Sequence, residues 1–151
     1  MVICKATLED SKDVWIWRND PLTRRMFRSS RVVKWSTHNQ WFKLSLQNRN
    51  RILLIGYDGL KEKVGIVRLD LINKHVAEVS INLNPNKRGL KLSKPLLSSA
   101  IQYARKSGIT EFYAEIKNNN TTSLHIFKET GFKYIQVKDE MSLLKMTSHQ
   151  L

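Results

Sequence analysis

At 151 residues, with 41% hydrophobic residues, six Gly and three Pro, the chain is the size of one folded domain and excludes a disordered or collagen-like one. A single Cys and four scattered His (His38, His75, His125, His149) exclude an internal disulfide framework and give no metal-ligand spacing, so no metal is expected. Twenty-six Lys and Arg against 13 Asp and Glu leave a net charge of +13, which favours anionic partners: nucleic acid, an acidic membrane surface or phosphorylated small molecules.

In chain order, Val2 to Thr7 reads as a short strand and Glu9 to Arg18 as an amphipathic helix. Asn19-Asp20-Pro21 breaks that helix, because the proline pushes Asp20 out of the helical region. Arg18, Arg24, Arg25, Arg28, Arg31 and Lys34 then crowd one segment against a lone Asp20. Thr37 followed by Gln40 fits a capping box and predicts a helix to about Gln47. Strands follow at Arg51 to Tyr57, Val64 to Leu71 and Val76 to Leu83, with Asp58-Gly59 and Asn73-Lys74-His75 as turns. A helix over Ser93 to Lys106 ends near Gly108, a strand spans Glu111 to Ile116, and a second helix spans Thr121 to Glu129, closed by Gly131. Lys133 to Val137 and Met141 to Lys145 read as closing strands. Residues 1–146 are taken as one domain and 147–151 as a frayed tail. The order predicts an α/β (α+β) protein with a mixed, mostly antiparallel central sheet and helices on both faces. No run of about 18 apolar residues and no basic-then-apolar leader is visible, so a cytoplasmic protein without membrane insertion is expected.

The segment from Asn84 to Leu97 is the most informative. A strand ends, a basic loop follows and a helix begins. Free amides at a helix start, with the helix dipole, bind phosphate oxygens. Lys87, Arg88, Lys91 and Lys94 add charge around the same place, and Pro95 suits the first helical turn. Charge alone would fit a solvated basic loop equally well.

Arg88-Gly89-Leu90-Lys91-Leu92-Ser93 followed by Lys94-Pro95-Leu96-Leu97 resembles the pyrophosphate loop of the GNAT acyl-CoA N-acetyltransferases, written R-G-x-G-x-G/A-x-x-L-L. The chain departs from it where Lys91 takes a usual Gly position and Ser93 a Gly or Ala position. Asn120 through Ser123 and Phe127 to Gly131-Phe132 is similar to the family's N-x-x-S/A-x-x-x-Y/F-x-x-x-G-F helix. Trp17-Arg18-Asn19-Asp20-Pro21, Arg24, His38-x-x-Trp41-Phe42 and Gly65-x-x-Arg68-Leu69-Asp70 resemble one branch of that family. The branch holds acetyltransferases of nucleotide-linked amino sugars and borders the ribosomal-protein N-terminal acetyltransferases.

The resemblance implies a GNAT-like sheet, acetyl-CoA as co-substrate and a primary amine as acceptor. It implies donor contacts at Ile81, Asn82 and Leu83 through backbone, along Arg88, Gly89, Leu90, Lys91, Leu92, Ser93 and Lys94, and at Asn120 and Phe127. On the acceptor side it points to Arg18, Asn19, Arg24, Arg68 and Asp70. Strand alternation adds a catalytic candidate. Ala77, Val79, Ile81 and Leu83 point one way, and Glu78, Ser80 and Asn82 the other. A covered central strand is normally apolar on both faces, so this polar row suggests a wet cleft, or else a solvent-facing surface with a structural ion pair. Pairing through Asn73-Lys74-His75 sets Asp70 opposite Glu78 and Arg68 opposite Ser80. Family members often carry a Glu on this strand as general base, which favours Glu78. Many relatives have Tyr where Phe127 stands, so Ser123, one turn earlier, is a candidate to hydrogen-bond the departing thiolate, with Tyr113 and Tyr103 as further candidates.

The leading reading is therefore acetyl transfer to a small phosphorylated amine such as a nucleotide-linked amino sugar. Protein N-terminal acetylation is the enzymatic alternative. A non-catalytic nucleic-acid-binding or regulatory domain, with Trp35 and Trp41 as stacking residues, is the alternative of another class. Oligomeric state is left open.

Overall fold

The computed structural model describes residues 1–27 and 29–147. Arg28 of the basic segment and residues 148–151, with His149, lie outside the described residues. The elements are β1 (Val2–Lys5), α1 (Ser11–Arg18), α2 (Pro21–Met26), α3 (Trp35–Gln47), β2 (Arg51–Tyr57), β3 (Lys63–Asn73), β4 (Val76–Leu83), α4 (Ser93–Lys106), β5 (Glu111–Lys117), α5 (Thr121–Thr130), β6 (Lys133–Val137) and β7 (Met141–Thr147). The seven strands form one sheet in the order β1-β2-β3-β4-β5-β7-β6, and every pair is antiparallel except β4 with β5.

Alternation along the central strands separates two cores, one on each face. Leu54, Val67, Leu69, Ala77 and Val79 pack with Leu96, Leu97, Ala100 and Ile101 of α4 and Phe127 of α5. Leu53, Ile55 and Ile66 pack with Val14 and Trp17 of α1 and Phe42 of α3. The α4 face is buried at Leu96, Leu97, Ala100, Ile101 and Ala104, the spacing of a helix stripe facing a core. Helix and sheet meet closely where Gly65 sits: a Cβ there would lie 2.5 Å from the Asn82 carbonyl oxygen and 3.0 Å from a Leu96 methyl. Among the described residues no helix is long and apolar enough to cross a membrane.

Several boundaries differ from the sequence reading, and three of these have an evident cause. Asp20-Pro21 ends α1 and also begins a new helix: Pro21 occupies the first helical position, and the Asp20 carboxylate accepts the Thr23 amide at 3.1 Å as an N-cap. α3 starts at Trp35 with Lys34 at its N-cap and no side-chain cap bond, so the Thr37 capping box does not form. Trp35 packs edge-on against Trp15 with ring centroids 5.4 Å apart, a contact that favours the earlier start. β7 reaches Thr147, which pairs with Glu111, and Met146 is fully buried, so the expected tail over 147–151 does not begin at 147.

Candidate active site

The parallel pairing of β4 with β5 is short: Val76 with Glu111, Ala77 with Phe112, Glu78 with Tyr113. Beyond Glu78, β4 keeps β3 as its partner through Leu83 but no longer pairs with β5. A cleft of about 510 Å³ opens at that point. Arg18, Trp41, Arg68, Asp70, Glu78 and Ser80 line it from the α1/α3 side. Asn120, the N-cap of α5, and Ser123 and Phe127 of α5 also line it, as do Glu115 and Lys117 of β5. A strand edge without a neighbour offers backbone donors and acceptors to an extended ligand. Ile81 and Asn82 lie on this stretch and line the cleft; Leu83 ends it.

The register expected for β3 and β4 is present: Asp70 faces Glu78 and Arg68 faces Ser80. Asp70 is ion-paired to two arginines. Arg51 Nε donates to one carboxylate oxygen at 2.6 Å, and Arg68 Nε lies 3.2 Å from the other. Arg51 also donates to Ser45 Oγ at 3.0 Å, and Arg68 to Ser80 Oγ at 3.4 Å. Glu78 has no cation within ion-pair distance among the described residues. Three guanidiniums gather around one indole: Arg51, Arg18 and Arg68 lie 5.5, 5.8 and 6.0 Å from the Trp41 ring centroid. Arg18 is half-buried and also lies 6.0 Å from the Phe27 ring. It has no carboxylate within ion-pair distance among the described residues. Burial, and then the neighbouring Arg68 charge, hold its guanidinium below the ordinary arginine range.

The basic loop is arranged differently. Gly89 and Lys91 both adopt left-handed backbone, with φ of +76° and +57°. Lys91 thus carries a side chain in a conformation suited to glycine, at a cost of about 1–2 kcal/mol. The α4 N-cap, Leu92, makes no side-chain cap bond, so the Ser93 and Lys94 amides begin the helix without one. The neighbouring cations are paired within the protein. Lys87 lies 2.9 Å from Asp58 and 2.8 Å from Glu62, and Lys94 lies 3.2 Å from Glu129. Arg88 donates from one terminal nitrogen to Asp20 and, at 3.0 Å, to Thr23 Oγ1. Lys91 is exposed and makes no ion pair among the described residues.

Two acceptor-side expectations fall away from the cleft. Asn19 donates to the Val33 carbonyl at 2.9 Å and accepts the Val33 amide at 2.8 Å. Arg24 donates to the Asn19 and Ser30 carbonyls at 3.1 and 3.0 Å. Both are occupied in fastening the segment after α1, and neither lines the cleft. Met26, Phe27 and Ser29 line the cleft instead, and Lys117 Nζ donates to the Arg25 carbonyl at 3.1 Å.

The family model for the GNAT acetyltransferase family matches residues 13–132. The chain belongs to the GNAT acetyltransferase family. It is 26% identical over 136 residues to an uncharacterised protein of Methanocaldococcus jannaschii, covering 88% of this chain and 28% of that protein, so it spans little more than a quarter of that curated relative's length. A crystal structure of a domain from Methanocaldococcus jannaschii superposes with a TM-score of 0.82 at 22% identity, covering 97% of each chain. Spermidine N-acetyltransferase from Vibrio cholerae, solved in complex with CoA and spermine, superposes with a TM-score of 0.89 at 15% identity, covering 99% of this chain and 96% of that one. At these identities the structural likeness is one of fold. Acetyl-CoA is the acetyl donor of this family.

For this GNAT domain the structure adds residues the sequence reading did not single out. Arg51 reads as the polar start of an apolar strand, and its hold on Asp70 depends on cross-strand register. Glu115 and Lys117 alternate outward on a strand read mainly for its core. Alternation of β5 was the available signal for both.

Proposed function

We propose that this chain is a cytoplasmic acetyltransferase that moves the acetyl group of acetyl-CoA to the primary amine of a small phosphorylated acceptor, with a nucleotide-linked amino sugar as the best fit. The observation that carries the reading is the opening of the sheet beyond Glu78, which joins an unpaired strand edge to a carboxylate without a cationic partner among the described residues. In this reading acetyl-CoA supplies an acetyl thioester. The β4 edge at Ile81, Asn82 and Leu83 hydrogen-bonds the pantetheine amides. The loop Arg88, Gly89, Leu90, Lys91, Leu92, Ser93 and Lys94 takes the pyrophosphate with backbone amides and residual positive charge. Asn120 and Phe127 border the donor from α5.

Glu78 accepts the proton of the acceptor ammonium, directly or through water, so that the amine nitrogen can attack the thioester carbonyl. Asp70 is a poor alternative, since it accepts a hydrogen bond from Arg51 and is ion-paired to both Arg51 and Arg68. Ser123 donates a hydrogen bond to the thiolate as the C–S bond breaks; a thiol of ordinary acidity leaves with that help alone. Arg18 and Arg68 face the acceptor. A half-buried guanidinium without a carboxylate among the described residues calls for an anion from the substrate, which favours a phosphorylated amine over a polyamine. The test is CoA release from acetyl-CoA with amino-sugar nucleotides, N-terminal peptides and spermidine as acceptors. The reading expects turnover with the first group. Preference for peptides or spermidine contradicts the acceptor assignment; salt-sensitive RNA binding without CoA release contradicts the enzymatic reading.

A further inference from the structure

The turn Asn19-Asp20-Pro21 lies on the acceptor side in sequence, yet its carboxylate serves another region. Asp20 accepts the Thr23 amide at 3.1 Å, which fixes the carboxylate at the start of α2. The same carboxylate pairs with Arg88, 68 residues away, and Thr23 Oγ1 accepts from the same guanidinium nitrogen at 3.0 Å. Arg88 immediately precedes Gly89, the first left-handed residue of the donor loop. Only one terminal nitrogen is engaged by Asp20 and Thr23. The other terminal nitrogen and Nε make no hydrogen bond among the described residues.

We propose that Asp20, with Thr23, is a positioning pair for Arg88, orienting the guanidinium so that its remaining N–H groups meet the pyrophosphate of the acetyl donor. The inference rests on the donor-site assignment made above. An unrestrained arginine surrenders rotamer entropy when it is fixed, and a guanidinium already clamped at one nitrogen surrenders less. Asp20 does not neutralise the loop beyond use, because the planar fork keeps donors on its other edges. The Arg88 pair also holds the Asp20 carboxyl below the usual carboxylate range, so the clamp is charged at neutral pH. The turn thereby gains a function distinct from ending α1.

The test uses the whole chain and needs no acceptor. CoA and pantetheine are titrated calorimetrically against wild type, Asp20→Ser, Arg88→Ala and the double variant. Serine retains the N-cap of α2 but is too short to reach Arg88. Asp20→Ser is expected to weaken CoA binding about tenfold, the scale of one charge-assisted hydrogen bond, and to leave pantetheine binding unchanged. In the double variant the loss should not exceed that of Arg88→Ala alone, since both changes remove one interaction. Asp20→Glu should restore part of the affinity. Multiplicative losses, equal weakening of pantetheine, or tighter CoA binding by Asp20→Ser would overturn the positioning role. Wild type that binds neither ligand would overturn the donor-site assignment itself, a result distinguishable from the others.

Discussion

The donor loop and the acceptor face are both strongly basic in sequence, but the fold treats their charges in opposite ways. In the loop, Lys87, Arg88 and Lys94 each have a carboxylate from another element: Asp58 and Glu62, Asp20, and Glu129. At the acceptor face, Arg18, Arg51 and Arg68 gather around Trp41; Arg51 and Arg68 share the carboxylate of Asp70, and Arg18 has no carboxylate within ion-pair distance among the described residues. A net charge of +13 therefore says little about where positive potential acts. In the proposed reading the loop acts through backbone amides and left-handed geometry, and the acceptor face through Arg18, whose guanidinium has no carboxylate partner among the described residues. Glu78 lines the same cleft and, among the described residues, has no ion pair such as those that hold Asp70.

The largest effect that could break this contrast is at Glu78. Glu78→Gln keeps shape but cannot take a proton, so kcat should fall roughly 10²–10⁴-fold at neutral pH, with acetyl-CoA affinity nearly unchanged. Part of the loss should return as pH rises, because more of the amine arrives deprotonated. A near-normal kcat with an unaltered pH profile would assign Glu78 a structural role and make the two carboxylates equivalent.

Next in size is Arg18. Arg18→Met preserves the apolar stem over Trp41 and Phe27 and removes the charge. The acceptor KM should rise about tenfold to hundredfold, the range for a hydrogen bond to a charged group, and the acetyl-CoA KM should hold. Equal changes in both constants would dissolve the distinction between the regions.

A smaller effect concerns acid stability beside the acceptor face. Burial is the main cause that holds His38 below its ordinary value, and the nearby Arg18 charge adds to it. His38 Nε2 lies 2.9 Å from the Ser11 carbonyl, which assigns it the donor role in the neutral ring. A depressed folded value means that this histidine's stabilisation is full above about pH 6.5, the unfolded value, and is lost as pH falls through the folded one. Denaturant melts between pH 7.5 and 5 should show that slope, and His38→Phe should flatten it. The smallest effect is at Lys91. Lys91→Gly should stabilise the fold by about 1 kcal/mol by relieving left-handed strain, whereas Lys91→Ala should not. Any loss of CoA affinity common to both variants then reports charge alone.

Much of this was legible along the chain. β4 and the start and end of α4 follow from alternation and from the Asn84-Pro85 stop, and the β3–β4 turn length fixes Asp70 opposite Glu78. Asn120 and Gly131 mark α5 by their capping chemistry: Asn120 accepts the Ser123 amide, and Gly131 takes a φ of +120°. α2 was hidden because Asp20-Pro21 signals both a stop and a start, and local rules give precedence to the stop. The partners of the loop cations were hidden for another reason. Arg88 with Asp20 and Lys94 with Glu129 are contacts between distant segments, set by packing and not by spacing. The pairing of Asn19 and Arg24 with backbone carbonyls is equally invisible in one dimension, and it is why two polar residues beside an acceptor motif do not face the cleft.

The central claim is that the unpaired β4 edge and the left-handed loop together hold the acetyl donor. Amide hydrogen exchange with and without saturating acetyl-CoA tests it most directly. Protection should appear at amides between Val79 and Leu83 and between Arg88 and Lys94, and not along β6 at the far edge of the sheet. Exchange unchanged in both stretches, or slowed uniformly across all seven strands, would contradict the claim.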